Sequence, residues 1–206
     1  YYNPYYVVPS TTTIVYNYSN PIPVETASVV TPPTSDSEPA PVPGSDNPDF
    51  DAARAAFRDA DYGTALSRVD AAIQRVPTDA VLHEFRALVL FALLEYRQAA
   101  AVVHSVLAIG PGWDWTTMSS LYGNVADYTN QLRDLEAYVK QNPNSSDAHF
   151  LLAYHYLTTG YADEARRQLA EVDRLTPNDR LVRQLLGMSE TATEPPAENP
   201  TPKPPV

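Results

Sequence analysis

The middle of this chain alternates apolar and polar residues at three- and four-residue spacing, the pattern of helices that each bury one face. The apolar stripes fall into paired segments of about 12 to 15 residues separated by short polar turns. Between Asp49 and Glu194 the prolines are Pro77, Pro111, Pro143 and Pro177, spaced by 34, 32 and 34 residues. Proline costs ~3 kcal/mol inside a helix, so a proline that returns at one phase marks where every second helix stops. Starts are marked as well. Asp114 precedes Trp115, and Ser145, Ser146 and Asp147 precede Leu151, offering side-chain oxygens to unpaired backbone N–H groups. After Pro177, Leu181, Val182, Leu185 and Leu186 share one face with Arg180, Arg183 and Gln184 opposite, which predicts a short helix over 179–187 stopped by Gly187. The expected fold is all-α: four helical hairpins and a closing helix.

Counting backward from each proline aligns four units, at about 46–79, 80–112, 113–144 and 145–178. The fourth is the most regular, with His149, Leu152, Ala153, Tyr156, Ala165, Leu169 and Val172 at fixed offsets. The first keeps Ala53, Tyr62, Ala65, Val69 and Ala72, and the second keeps Ala87, Leu90, Tyr96, Ala99 and Val103. The third has Trp115, Met118, Ser119, Tyr122 and Leu135, but it is two residues short near Gly112. It also carries Gln131 and Tyr138 where its neighbours have small residues, which puts close packing of its second helix in question.

This arrangement, over residues 46 to about 187, resembles the tetratricopeptide repeat (TPR) family, whose 34-residue unit runs Trp, Leu, Gly, Tyr, Ala, Phe, Pro. The resemblance implies an α-solenoid of four hairpins, with a capping helix over 179–187, that holds another polypeptide in a groove lined by first helices. Carried over position by position, the groove residues are Phe50, Arg54, Phe57, Glu84, Leu88, Phe91, Trp113, Ser120, Asn124, Phe150, Tyr154 and Leu157. The Lys and Asn with which the chaperone-binding subclass grips a terminal carboxylate are not reproduced, since Phe50, Glu84, Thr116 and Phe150 stand at one such position and Arg54, Leu88, Ser120 and Tyr154 at the other. The implied ligand is instead a peptide or helix held by apolar anchors.

Charge and composition narrow the picture further. The net charge of −11 contains no cluster of Lys and Arg, which argues against a nucleic-acid partner. Cysteine is absent, excluding disulfides and thiolate chemistry. The longest apolar run, Ala87 to Leu94, is far short of the ~20 residues a membrane helix needs, so no membrane span is expected. His83, His104, His149 and His155 lack metal-ligand spacing, and no phosphate loop or nucleophile elbow is visible. The chain is therefore not expected to be an enzyme or to hold a metal or cofactor.

Ten of the twenty prolines lie in residues 1 to 48 and six between Pro195 and Pro205, so residues 1–46 and 189–206 are expected to be disordered flanks. Residues 1–24 hold six tyrosines and no charge. Tyr/Pro-rich leaders of this kind resemble those of uncharacterised bacterial envelope proteins, which points to a periplasmic or secreted setting rather than the cytoplasm. They also leave an alternative open: a self-associating structural protein of the cell surface, a homo-oligomer with the leader as tether or ligand.

Overall fold

The computed structural model describes residues 47–193; the expected leader, 1–46, and most of the expected tail lie outside the described residues. Among the described residues every regular element is helical: α1 (Pro48–Arg58), α2 (Tyr62–Arg75), α3 (Ala80–Ala92), α4 (Tyr96–Leu107), α5 (Trp115–Leu121), α6 (Val125–Gln141), α7 (Ser146–Thr158), α8 (Ala162–Leu175) and α9 (Arg180–Thr193). Pro77, Pro111, Pro143 and Pro177 each fall between helices, where a missing N–H does least harm.

Three hairpins, α1–α2, α3–α4 and α7–α8, share one construction. Each turn holds a residue in the left-handed region, Ala60 (φ 59°), Leu94 (φ 63°) or Gly160 (φ 84°). In each, the next N–H bonds back to the helix: Asp61 to Ala56, Glu95 to Leu90 and Tyr161 to Tyr156, at 2.9, 2.9 and 2.8 Å. This is the Schellman closure, which satisfies carbonyls that a helix end would otherwise strand. Where the paired backbones approach, Ala53 and Ala65, Ala87 and Ala99, and Ala153 and Ala165 are all buried to 2 % exposure or less.

The stacking order departs from four equivalent units. Hairpin α1–α2 packs through α2 on α3, but α4 then packs on α7, not on α5, and α8 packs on α9. The second and fourth sequence units are thus neighbours. Between them, α5 contacts α1, and α6 contacts α7 and α3, rather than pairing with each other along their lengths. The α5–α6 turn has no left-handed residue, and the positions that should allow close approach carry Ser119 and Gln131.

Caps follow the sequence in part. Asp114 accepts from the Thr117 N–H at 2.8 Å, as expected, and Asn124 caps α6 by accepting from Ala126 at 3.0 Å. Ser145 occupies the cap position of α7 but donates its hydroxyl to Asp147 at 2.6 Å instead of accepting from the helix. Gly187 does not end the last helix: α9 runs through it to Thr193, because a glycine with helical dihedrals costs only about 1 kcal/mol relative to alanine. The start of α9 is tied to α4, where Asp179 caps Leu181 and Val182 with one carboxylate oxygen and meets His104 Nε2 at 2.9 Å with the other.

Candidate functional site

The first helices of the three stacked hairpins, α1, α3 and α7, present the face on which the sequence places a groove. The structure fills that face with its own chain. Phe57 of α1 meets Tyr122, just after α5, with ring centroids 4.9 Å apart. Tyr122 in turn lies 5.6 Å from Tyr128 of α6. Tyr128 reaches Phe91 of α3 at 6.3 Å, His155 of α7 at 5.7 Å and Trp115 of α5 at 4.9 Å. These edge and tilted geometries are the favourable ones for aromatic pairs.

Polar ties complete the join. The Gln131 amide donates to the Tyr62 hydroxyl at 2.9 Å and accepts from Tyr122 at 2.8 Å. Tyr156 donates to Glu136 at 2.8 Å, and Arg58 donates to the Ser120 carbonyl at 3.4 Å. At the entry to the segment, Glu84 of α3 accepts on one carboxylate oxygen from the Trp113 N–H at 2.6 Å and the Tyr154 hydroxyl at 2.7 Å. Gly112 (φ 74°) sits beside this pair, where an added Cβ would lie 3.1 Å from the carboxylate oxygen and 2.8 Å from Leu107.

The twelve residues expected to line a groove therefore divide into two sets. Phe50, Phe57, Glu84, Leu88, Phe91, Phe150 and Tyr154 are buried. Phe50 packs on Phe85 at 5.3 Å, and Phe150 packs on His104 of α4 at 5.3 Å, so these two join helices of the stack itself. Arg54, Trp113 and Leu157 are half-buried, and Ser120 and Asn124 are exposed. Tyr122, Tyr128, Gln131, Trp115 and His155 take part in the covered face without having been placed there by the repeat register. A signal for them existed in the short third unit and its misplaced Gln131. Apart from this face, Arg97, Tyr138 and the α6–α7 turn line an open cleft of about 640 Å³, across which Arg97 and Asp147 pair at 3.4 Å. None of the twelve residues lines it.

Burial shapes the titration of two groups in the join. It pushes the Glu84 carboxyl up, against the hydrogen bonds from Tyr154 and Trp113 that hold it down. Burial also drives the His155 imidazole down to about 3. Its Nδ1 lies 3.4 Å from the Tyr128 hydroxyl, and its Nε2 has no hydrogen-bond partner among the described residues. The folded ring stays neutral from its ordinary value near 6.5 down to about 3, while the unfolded ring takes up a proton. Across that window the unfolded state binds more protons, so stability falls as pH falls, by up to about 1.4 kcal/mol per pH unit from this group. Burial lowers His83 as well, with the same sign, whereas the raised Glu84 acts in the opposite direction. Urea melts of His155→Leu beside the unaltered protein isolate this ring's contribution: the acid-side slope below pH 6.5 is expected to be shallower in the variant. Parallel slopes would place the ring in water.

No group of three or more metal-ligating side chains occurs among the described residues, and no helix there is long and apolar enough to cross a membrane. No curated protein matches the chain. The tetratricopeptide repeat family model matches residues 127–188, from the first turn of α6 through the α7–α8 hairpin into α9. That match and the helical-repeat architecture together support a TPR-type protein.

Proposed function

We propose that the chain is a non-catalytic interaction module, a scaffold or adaptor that holds a partner peptide or helix on the face formed by α1, α3 and α7. TPR repeats generally mediate protein–protein contacts and generally act as scaffolds rather than catalysts. The observation that carries the reading is that this face accepts a helix: α6 lies against α3 and α7 with one side buried and the other in water. Helix-in-groove recognition works in this way, through apolar anchors at helical spacing. Half-buried Arg54 of α1 and Leu157 of α7 are the points where an added ligand first makes contact.

Partners captured on the full chain, once purified, test this by direct titration. Leu157→Arg, on the proposed face, is expected to weaken binding about tenfold or more, the effect of placing a charge in a contact centre. Arg167→Ala, on the exposed side of α8, is expected to leave it unchanged. The opposite ranking would move the binding surface to the other side of the stack.

A further inference from the structure

The stack does not require α5 and α6 for its continuity. Because α4 packs directly on α7, residues 108–145 leave the array after the second hairpin and rejoin it for the next. In between they lay α6 across the first-helix face, with Tyr128, Gln131, Leu135 and Val139 as its buried stripe. Asn130, Arg133 and Asp134 point outward. Spaced at i, i+3, i+7 and i+11, the stripe is that of an amphipathic helix seated in a groove.

The seam differs from the hairpin interiors. Within hairpins, pairs of buried alanines interlock, with polar contacts such as His149 with Gln168 and Asp49 with Arg68 in addition. Along the seam, Gln131 with Tyr62, Ser120 with Arg58 and Trp113 with Glu84 are hydrogen-bonded pairs. Beside the seam, His155 Nε2 is buried without a partner among the described residues. A mixed apolar and polar boundary without paired alanines is of the kind found on surfaces that dock and separate.

We propose that α5–α6 is a displaceable internal occupant of the first-helix face, and that the partner it yields to is an amphipathic helix of α6's own chemistry. That partner carries an aromatic, an amide and two aliphatic side chains at the spacing of Tyr128, Gln131, Leu135 and Val139. The inference rests on the interaction-module reading and adds to it both the partner's pattern and a gate on its binding. A face that is open one part in a hundred binds its ligand about a hundredfold more weakly than a permanently open one.

Gly123 supplies the lever, because a Cβ there would lie 2.6 Å from the Arg58 backbone oxygen. Gly123→Ala should therefore push the α5–α6 turn away from α1. Two measurements on the full chain decide the matter. In native-state hydrogen exchange of the unaltered protein, α5 and α6 amides are expected to exchange through a partial opening, about tenfold or more faster than those of α3 and α7. Exchange of α6 in step with α7 under all conditions overturns the proposal.

In the second, a fluorescent peptide of sequence 122–141 is titrated into both proteins. Gly123→Ala is expected to bind it about tenfold or more tightly than the unaltered chain, and a peptide carrying Tyr128→Ala and Leu135→Ala should lose that binding. Equal affinity for the two proteins, or indifference to the peptide changes, overturns the proposal. Should Gly123→Ala leave the exchange of α5 and α6 unaltered, Tyr128→Ala in the protein takes its place in the titration. A partner that binds the unaltered chain without changing exchange in α5–α6 would sink this inference while leaving the interaction-module reading intact.

Discussion

Replacing Arg86 by methionine is expected to cost about 3–5 kcal/mol, the range seen when one partner of a buried ion pair is removed. Arg86 of α3 donates through Nε to Asp70 of α2 at 2.7 Å, and their side chains are only 6 % and 12 % exposed. The pair therefore sits in the seam between the first and second hairpins, away from the solvent that makes surface ion pairs worth little. Methionine retains much of the arginine stem's volume, so the loss reports the guanidinium rather than a cavity. What remains is the Asp70 carboxylate, desolvated and without the guanidinium that faced it.

The same reasoning makes the double variant informative. Asp70→Leu combined with Arg86→Met removes both charges, and well-packed apolar replacements of a buried pair are often neutral or stabilising. The double variant is expected to recover most of what Arg86→Met loses, so the two changes should be strongly non-additive in a double-mutant cycle read by urea denaturation. A single-variant cost below about 1 kcal/mol would mean that the seam is open to water, as at a surface pair. In that case the first hairpin would be docked by its apolar contacts alone.

The parts of this fold legible in the sequence are those that local chemistry dictates. Ala53, Ala65, Ala87, Ala99, Ala153 and Ala165 recur as small buried side chains that let paired helices approach, and the prolines recur because they cannot be placed inside a helix without cost. Both rules act within a hairpin, so the helices and the three tight pairs could be read from spacing. Spacing does not say which hairpin stacks on which. Pro111 and Pro143 show where α4 and α6 stop, yet they carry no information on whether α4 next meets α5 or α7.

The groove residues were legible only as to their side of the helix. Helical period assigns Phe57, Phe91 and Tyr154 to a common face, but whether another part of the chain covers that face depends on contacts tens of residues away. Tyr154, for example, bonds to Glu84 across 70 positions. The exceptions in the third unit were the available clue. Gln131 stands where alanine should be, and it is Gln131 that bonds outward to Tyr62 and Tyr122 instead of admitting a neighbouring helix. A repeat whose small position is filled by a hydrogen-bonding side chain has lost the reason to pair and gained a reason to dock elsewhere.

Phe91→Ala should show both consequences at once, because this ring is shared by the stack and the docked segment. Phe91 is fully buried, 4.0 Å from the His155 ring, and also touches Tyr96 of α4 and Tyr128 of α6. Truncation to alanine is expected to cost about 3–5 kcal/mol, the usual range for emptying a buried phenylalanine site. Leu152→Ala is the appropriate comparison, since Leu152 is 2 % exposed in the α7–α8 hairpin and should cost about 2–5 kcal/mol. Melts alone would not separate the two. Hydrogen exchange should: Phe91→Ala removes an anchor from beneath Tyr128, so α6 amides are expected to lose protection beyond the global loss, whereas Leu152→Ala should lower α6 only as far as the whole array falls. If both variants deprotect α6 equally, the ring holds the stack together but does not hold the segment down, and the aromatic seam is not what keeps α6 in place.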